Sequence, residues 1–180
     1  MFLFYDTETT GLDPKKERVV QLASLLTYPD GREAMAFNLI FKCDVEIPEP
    51  AFKVHGITDE VAETLGVNPI GGFELFEAML ERCQFAVAFN EQFDVGMITQ
   101  NVRRLYDNPK LDPFEGIQRL CAMKIAAKVL GAGQRISLTN AHTKLFGEGF
   151  SGAHDAMADV RATARVFFEC KKRMAEQRAA

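Results

Sequence analysis

Phe2-Leu3-Phe4-Tyr5-Asp6-Thr7-Glu8 opens the chain as four apolar residues followed by two carboxylates at alternate positions. Read as a strand, the stretch has a side-chain period of two, so Asp6 and Glu8 share one face and Thr7 takes the other. Two carboxylates so placed repel unless water or a cation neutralises them. At about 5–7 Å apart in a dry pocket they suit one hard divalent cation. Taken alone, Glu8 also reads as a solvated strand end and Asp6-Thr7 as the start of a turn. The rest of the chain decides between these readings.

Working outward, Arg18 to Thr27 is a second apolar run after a turn region holding Gly11 and Pro14. Pro29-Asp30-Gly31 is a turn signal, and Ala34 to Phe41 returns as a third strand. The chain thus opens on a three-stranded antiparallel meander. Pro48 and Pro50 break regularity, His55-Gly56-Ile57 reads as a loop, and a helix starts near Thr58. Gly71-Gly72 precedes an amphipathic helix from Phe73 to Cys83. Phe85 to Phe89 is a short apolar run that fits a buried strand. Helices are predicted at about 92–106, 120–130 and 137–146, with a long last helix from about Asp155. A meander followed by strand–helix units predicts an α/β fold: a mixed sheet, antiparallel meander plus parallel strands, flanked by helices.

The 180 residues predict one domain, 1–180, large enough for a core without staples. No apolar stretch approaches the roughly 20 residues that span a bilayer. No signal segment opens the chain, and Cys43, Cys83, Cys121 and Cys170 are widely spaced, which fits reduced thiols in the cytoplasm. The net charge of −4 counts mildly against a protein that coats nucleic acid, but an enzyme holding one chain end needs few phosphate contacts.

Three further segments carry chemistry. Asn90-Glu91-Gln92-Phe93-Asp94 follows the buried strand; Asn90 reads as a helix N-cap, which puts Asp94 in the first turn. In His154-Asp155-Ala156-Met157-Ala158-Asp159, His154 and Asp159 would point about 140° apart on one helix. Both reach one site only if His154 lies on the preceding loop. His55, before Gly56, could face a ligand. Asp6, Glu8, Asp94 and Asp159 are thus four carboxylates from three segments, with a histidine nearby. Two-metal phosphodiester hydrolysis asks for such a set, with the histidine as general base.

Phe4-Tyr5-Asp6-Thr7-Glu8-Thr9-Thr10-Gly11-Leu12 resembles the first motif of the DnaQ-like, or DEDD, 3′–5′ exonucleases. Asn90-x-x-Phe93-Asp94 resembles the second and His154-x4-Asp159 the third; the histidine five before the last aspartate matches the DEDDh branch. The resemblance implies a ribonuclease-H-like five-stranded sheet and two divalent metal ions, Mg²⁺ or Mn²⁺. It implies that Asp6, Glu8 and Asp159 hold one metal, that Asp6 and Asp94 serve the second, and that His154 deprotonates the nucleophile. Thr7, Thr9, Leu12, His55, Asn90 and Phe93 become candidates to hold the terminal nucleotide. The implied substrate is the 3′ end of single-stranded nucleic acid, DNA favoured over RNA, and the implied partner is a DNA polymerase or a second copy of the chain. Little room for a polymerase-tethering segment follows the last motif, which favours a free-standing enzyme. Two rivals fit less well. An aspartate-nucleophile phosphatase leaves His154 and Asp159 unexplained, and a non-catalytic binding module has no need of all five chemical groups.

Overall fold

The computed structural model describes residues 1–152 and 155–179. Its centre is a five-stranded sheet in the order β3-β2-β1-β4-β5. The strands are β1 (Phe2–Thr9), β2 (Val19–Thr27), β3 (Glu33–Ile40), β4 (Phe85–Ala88) and β5 (Gln118–Cys121). β1 to β3 form the antiparallel meander, while β4 runs parallel to β1 and β5 parallel to β4. β2 is buried at every position, as befits a strand inside a sheet covered on both faces.

The helices are α1 (Glu49–His55), α2 (Asp59–Leu65), α3 (Pro69–Leu80), α4 (Glu91–Leu105), α5 (Ala122–Val129), α6 (Leu138–Phe146) and α7 (Ala156–Ala179). The alternation along β1 sorts them. Leu3 and Tyr5 face a core built with Phe76 of α3 and Met97, Ile98 and Val102 of α4. Phe2 and Phe4 face α7, joining Val160, Ala164 and Phe167. The Phe167 ring lies 5.3 Å from Phe2 and 5.5 Å from Phe4. Such ring pairs contribute about 0.5–1.5 kcal/mol each beyond their burial. They lock α7 antiparallel along β1. Eight residues of helix separate Phe167 from Asp159, a rise of about 12 Å, and four residues of strand separate Phe4 from Glu8, about 13 Å. The two spans match, so the start of α7 arrives over the carboxylate end of β1.

Three elements differ from the sequence reading. α1 occupies 49–55, where the sequence pattern predicts that Pro48 and Pro50 break regularity. Pro48 takes the cap position and Pro50 falls in the first turn, where its fixed φ suits a helix. Val54 and His55 therefore end a helix rather than form a loop, and Gly56, at φ 72°, is its left-handed cap. α3 starts at Pro69, with the Asn68 side chain accepting from the Ile70 N–H, so Gly71 and Gly72 lie inside the helix. A Cβ at Gly72 would stand 2.3 Å from the Phe41 ring, which explains the glycine by packing. Leu120 and Cys121, read as the start of a helix, belong to β5, an edge strand too short and polar to show alternation. Among the described residues no helix is long and apolar enough to cross a membrane.

Candidate active site

β1 bears the first two carboxylates where the antiparallel register pairs Asp6 with Ala23 and Glu8 with Gln21. Asp159 comes from the first turn of α7. The start of that helix is set by Asp155, whose carboxylate accepts from the Ala158 N–H at 3.0 Å. This is an N-cap one turn ahead of Asp159. The signal in the sequence is an aspartate before an apolar-periodic run, where the last helix is predicted to begin. Asp6, Glu8 and Asp159 each offer an oxygen, and these atoms lie within 4.8 Å of one another.

Electrostatics make this cluster expensive when empty of cation. Burial raises the Asp6 pKa well above its ordinary value, and the charges of Asp94, Glu8 and Asp159 add to it. Burial likewise pushes Glu8, only 9% exposed, up to about 8, with Asp159 and Asp94 contributing. A divalent cation among the three oxygens relieves that repulsion, and hard ions take such ligands. The donor set therefore fits Mg²⁺ or Mn²⁺.

Asp94 reaches the same strand from its other side. The β1–β4 ladder runs from Phe2↔Phe85 to Phe4↔Val87, and β4 ends at Ala88. Beyond that end, Asp94 Oδ1 accepts from the Thr7 N–H at 3.2 Å and from Thr7 Oγ1 at 2.8 Å. Burial pushes Asp94 up to about 7, against the lowering effect of both Thr7 bonds. Asp94 is thus tied to Thr7, next to the three-carboxylate cluster rather than inside it.

Around the cluster, Thr9 Oγ1 donates to the Gly11 carbonyl at 2.7 Å and shapes the chain toward Leu12. Leu12 is 83% exposed, an apolar side chain held out into solvent beyond β1. His55 Nδ1 accepts from the Ile57 N–H at 3.1 Å. Burial lowers the His55 pKa, opposed by the nearby Thr9 backbone. Asn90 holds the N-cap position of α4, but its side chain makes no cap bond and lines a cavity at the sheet edge. Phe93 is half-buried and packs on the core beneath α4. His154 lies outside the described residues.

Comparison with known proteins agrees with this architecture. The RNase_T model, described as an exonuclease family, matches residues 3–167. The chain is 30% identical over 174 residues to a DNA polymerase III subunit epsilon-like protein of Rhodobacter capsulatus, covering 92% of this chain and 23% of that protein. It is 25% identical over 173 residues to the DNA polymerase III subunit epsilon of Aquifex aeolicus, covering 93% of this chain and 79% of that one. Among solved structures, E. coli exonuclease I in complex with a dA16 oligonucleotide superposes with a TM-score of 0.83 at 24% identity, over 97% of this chain and 41% of that one. This chain spans about a quarter or less of the first curated relatives it matches. The fold is that of exonuclease I, ribonuclease-H-like as expected, and the chain belongs to the DnaQ-like exonuclease family.

Proposed function

We propose that this member of the exonuclease family is a metal-dependent 3′–5′ exonuclease that releases nucleoside 5′-monophosphates from single-stranded nucleic acid, with DNA favoured. The observation that carries this reading is the convergence of Asp6, Glu8 and Asp159 oxygens within 4.8 Å, from the first strand and the last helix of the chain. Two divalent cations held there would neutralise phosphate charge and acidify water. Asp6, Glu8 and Asp159 would hold the first, and Asp6 with Asp94 would serve the second.

The chain's own groups do the rest. Thr7 fixes the Asp94 carboxylate through two bonds, so it needs no rearrangement when substrate arrives. Exposed Leu12 offers apolar surface to the terminal base, and such contacts contribute about 1–3 kcal/mol each without reading its identity. Phe93, Thr9, His55 and Asn90 complete the nucleotide's surroundings. His154 takes the proton from the attacking water, the role its place in the third motif implies.

A second reading, in which the chain works beside a DNA polymerase, is favoured by its likeness to the two polymerase III epsilon proteins. Either role places the protein in the cytoplasm.

The test is digestion of 5′-labelled DNA and RNA oligomers in Mg²⁺ and in Mn²⁺, with EDTA and Asp6→Ala controls. A metal-dependent ladder shortening from the 3′ end, absent in the variant, is expected, with DNA cut faster. Intact oligomers under both metals would sink the reading.

A further inference from the structure

Beside the candidate site, at the carboxyl ends of β4 and β5, lies a second cavity of about 450 Å³. Its walls include Asn90 and Gln92 from the start of α4, Lys124 and Lys128 from α5, and Gln134 and Arg135 from the loop before α6. The volume falls within the range of a small-molecule or nucleotide site. Lys124, Lys128 and Arg135 are exposed, and none takes part in an ion pair with a described carboxylate. No described carboxylate lines the cavity. Other basic cavities of this chain are different. The one holding Arg18 and Arg104 also holds Asp44 and Glu63, and the one holding Arg32 and Arg161 also holds Asp30 and Glu33. In a chain of net charge −4, three uncompensated cations around one hollow form a local positive field.

The place of this hollow is set by the fold. The Met123 N–H and Cys121 Sγ both donate to the Phe89 carbonyl, at 3.0 and 3.3 Å, tying the start of α5 to the end of β4. Asn90 follows directly, and Asp94 lies one turn into the same helix. Adjacent strands lie about 4.8 Å apart, so the cavity by β5 stands about 10 Å from β1 across one sheet edge. That is about three nucleotides of a stacked strand, at about 3.4 Å per phosphate, and fewer of an extended one.

We infer that Lys124, Lys128 and Arg135 form a phosphate groove for the nucleotides immediately 5′ of the one being removed. The inference rests on the proposed nuclease reading. It gives the candidate site a strand path that leaves across the ends of β4 and β5. The three cations meet phosphates, while the amide side chains of Asn90 and Gln92, between groove and carboxylates, can donate to the same backbone. Phosphates are common to DNA and RNA, so the groove serves both.

The experiment is fluorescence anisotropy of labelled oligothymidylate and oligouridylate, each about 12 nucleotides long. It is run across a salt series in Mg²⁺, in an Asp159→Asn background that leaves the strand uncut. In that background, K124Q/K128Q/R135Q is compared with K144Q/K172Q/R178Q, which removes equal charge from α6 and α7. Each phosphate contact on a single strand contributes about −0.7 to the slope of log K against log salt. The groove variant is expected to bind at least about tenfold more weakly, with a slope shallower by about 2, while the matched variant keeps the parental slope. Equal slopes for groove variant and parent, an equal loss in the matched variant, or no oligomer binding by the parent overturns the groove. Cleavage by the wild-type chain is scored separately. A chain that binds through the groove but cuts nothing keeps the groove and ends the nuclease reading; a chain that cuts with an unchanged slope does the reverse.

Discussion

The two faces of β1 hold carboxylates in opposite circumstances. On the α7 face, Asp6, Glu8 and Asp159 crowd together with burial and like charge acting against all ionising at once. On the other side, Asp94 is buried more deeply, at 2% exposure, yet Oδ1 receives two donors from Thr7. The two Thr7 donors hold Asp94 in position, whereas the crowded three have like charges for neighbours, Asp94 among them. One strand of alternating residues supplies both, because Thr7 points away from Asp6 and Glu8.

The largest effect should come from breaking the crowded side. Asp6→Ala or Asp159→Ala should reduce cleavage below detection while leaving the fold intact, since each removes an oxygen that would hold metal. Thermal melts should show such variants at least as stable as the parent without metal, because a source of repulsion is gone. A clear fall in their melting temperature would mean that these carboxylates hold the fold rather than a cation.

Next comes His154, the proposed proton acceptor. His154→Ala should spare metal-induced stabilisation and lower turnover by about 10²–10⁴-fold. Undiminished turnover would remove His154 from the chemistry.

The satisfied side should respond differently. Thr7→Val removes the Oγ1 donor but keeps the N–H, so Asp94 loses one of its two bonds. A loss of about 1–3 kcal/mol of stability is expected, because a buried charged acceptor is left short. Urea unfolding in EDTA measures it. If Thr7→Val proves neutral while Asp6→Ala is destabilising, the contrast between the two sides is reversed.

The mildest test is pH. Glu8 rises from an ordinary 4.5 to about 8 in the fold. Between those values the folded chain holds more protons than the unfolded one, so metal-free stability falls as pH rises. Melting temperature in EDTA should decline from pH 5 toward 8, and Mg²⁺ should restore more at the upper end, where protons no longer compete. A flat profile in EDTA would show that the carboxylates are not crowded.

Legibility followed the range of the physics. The meander was readable because β1 opens on an apolar run, β2 is largely apolar and Pro29-Asp30-Gly31 is a local turn. The helix starts near Thr58 and Ser137 were readable, because each side chain caps its own helix within three residues. β5 was not legible, since Gln118–Cys121 is four residues of an edge strand defined by its pairing with β4. α1 was hidden by two prolines whose meaning depends on whether they begin a helix or interrupt one. Of the carboxylates, the shared face of Asp6 and Glu8 was legible from strand period alone; the tie between Asp94 and Thr7 was not.

The sequence by itself determined which residue types alternate along β1, which segments carry acidic groups, and which exonuclease motifs they resemble. Only the tertiary structure decided that Asp159 meets Asp6 and Glu8, that Asp94 is tied to Thr7, and that Lys124, Lys128 and Arg135, with no described carboxylate as ion-pair partner, gather at the ends of β4 and β5. Strand and cap patterns are set by neighbours a few bonds apart, whereas these meetings depend on packing, above all the Phe2, Phe4 and Phe167 rings that set the register of α7 against the sheet.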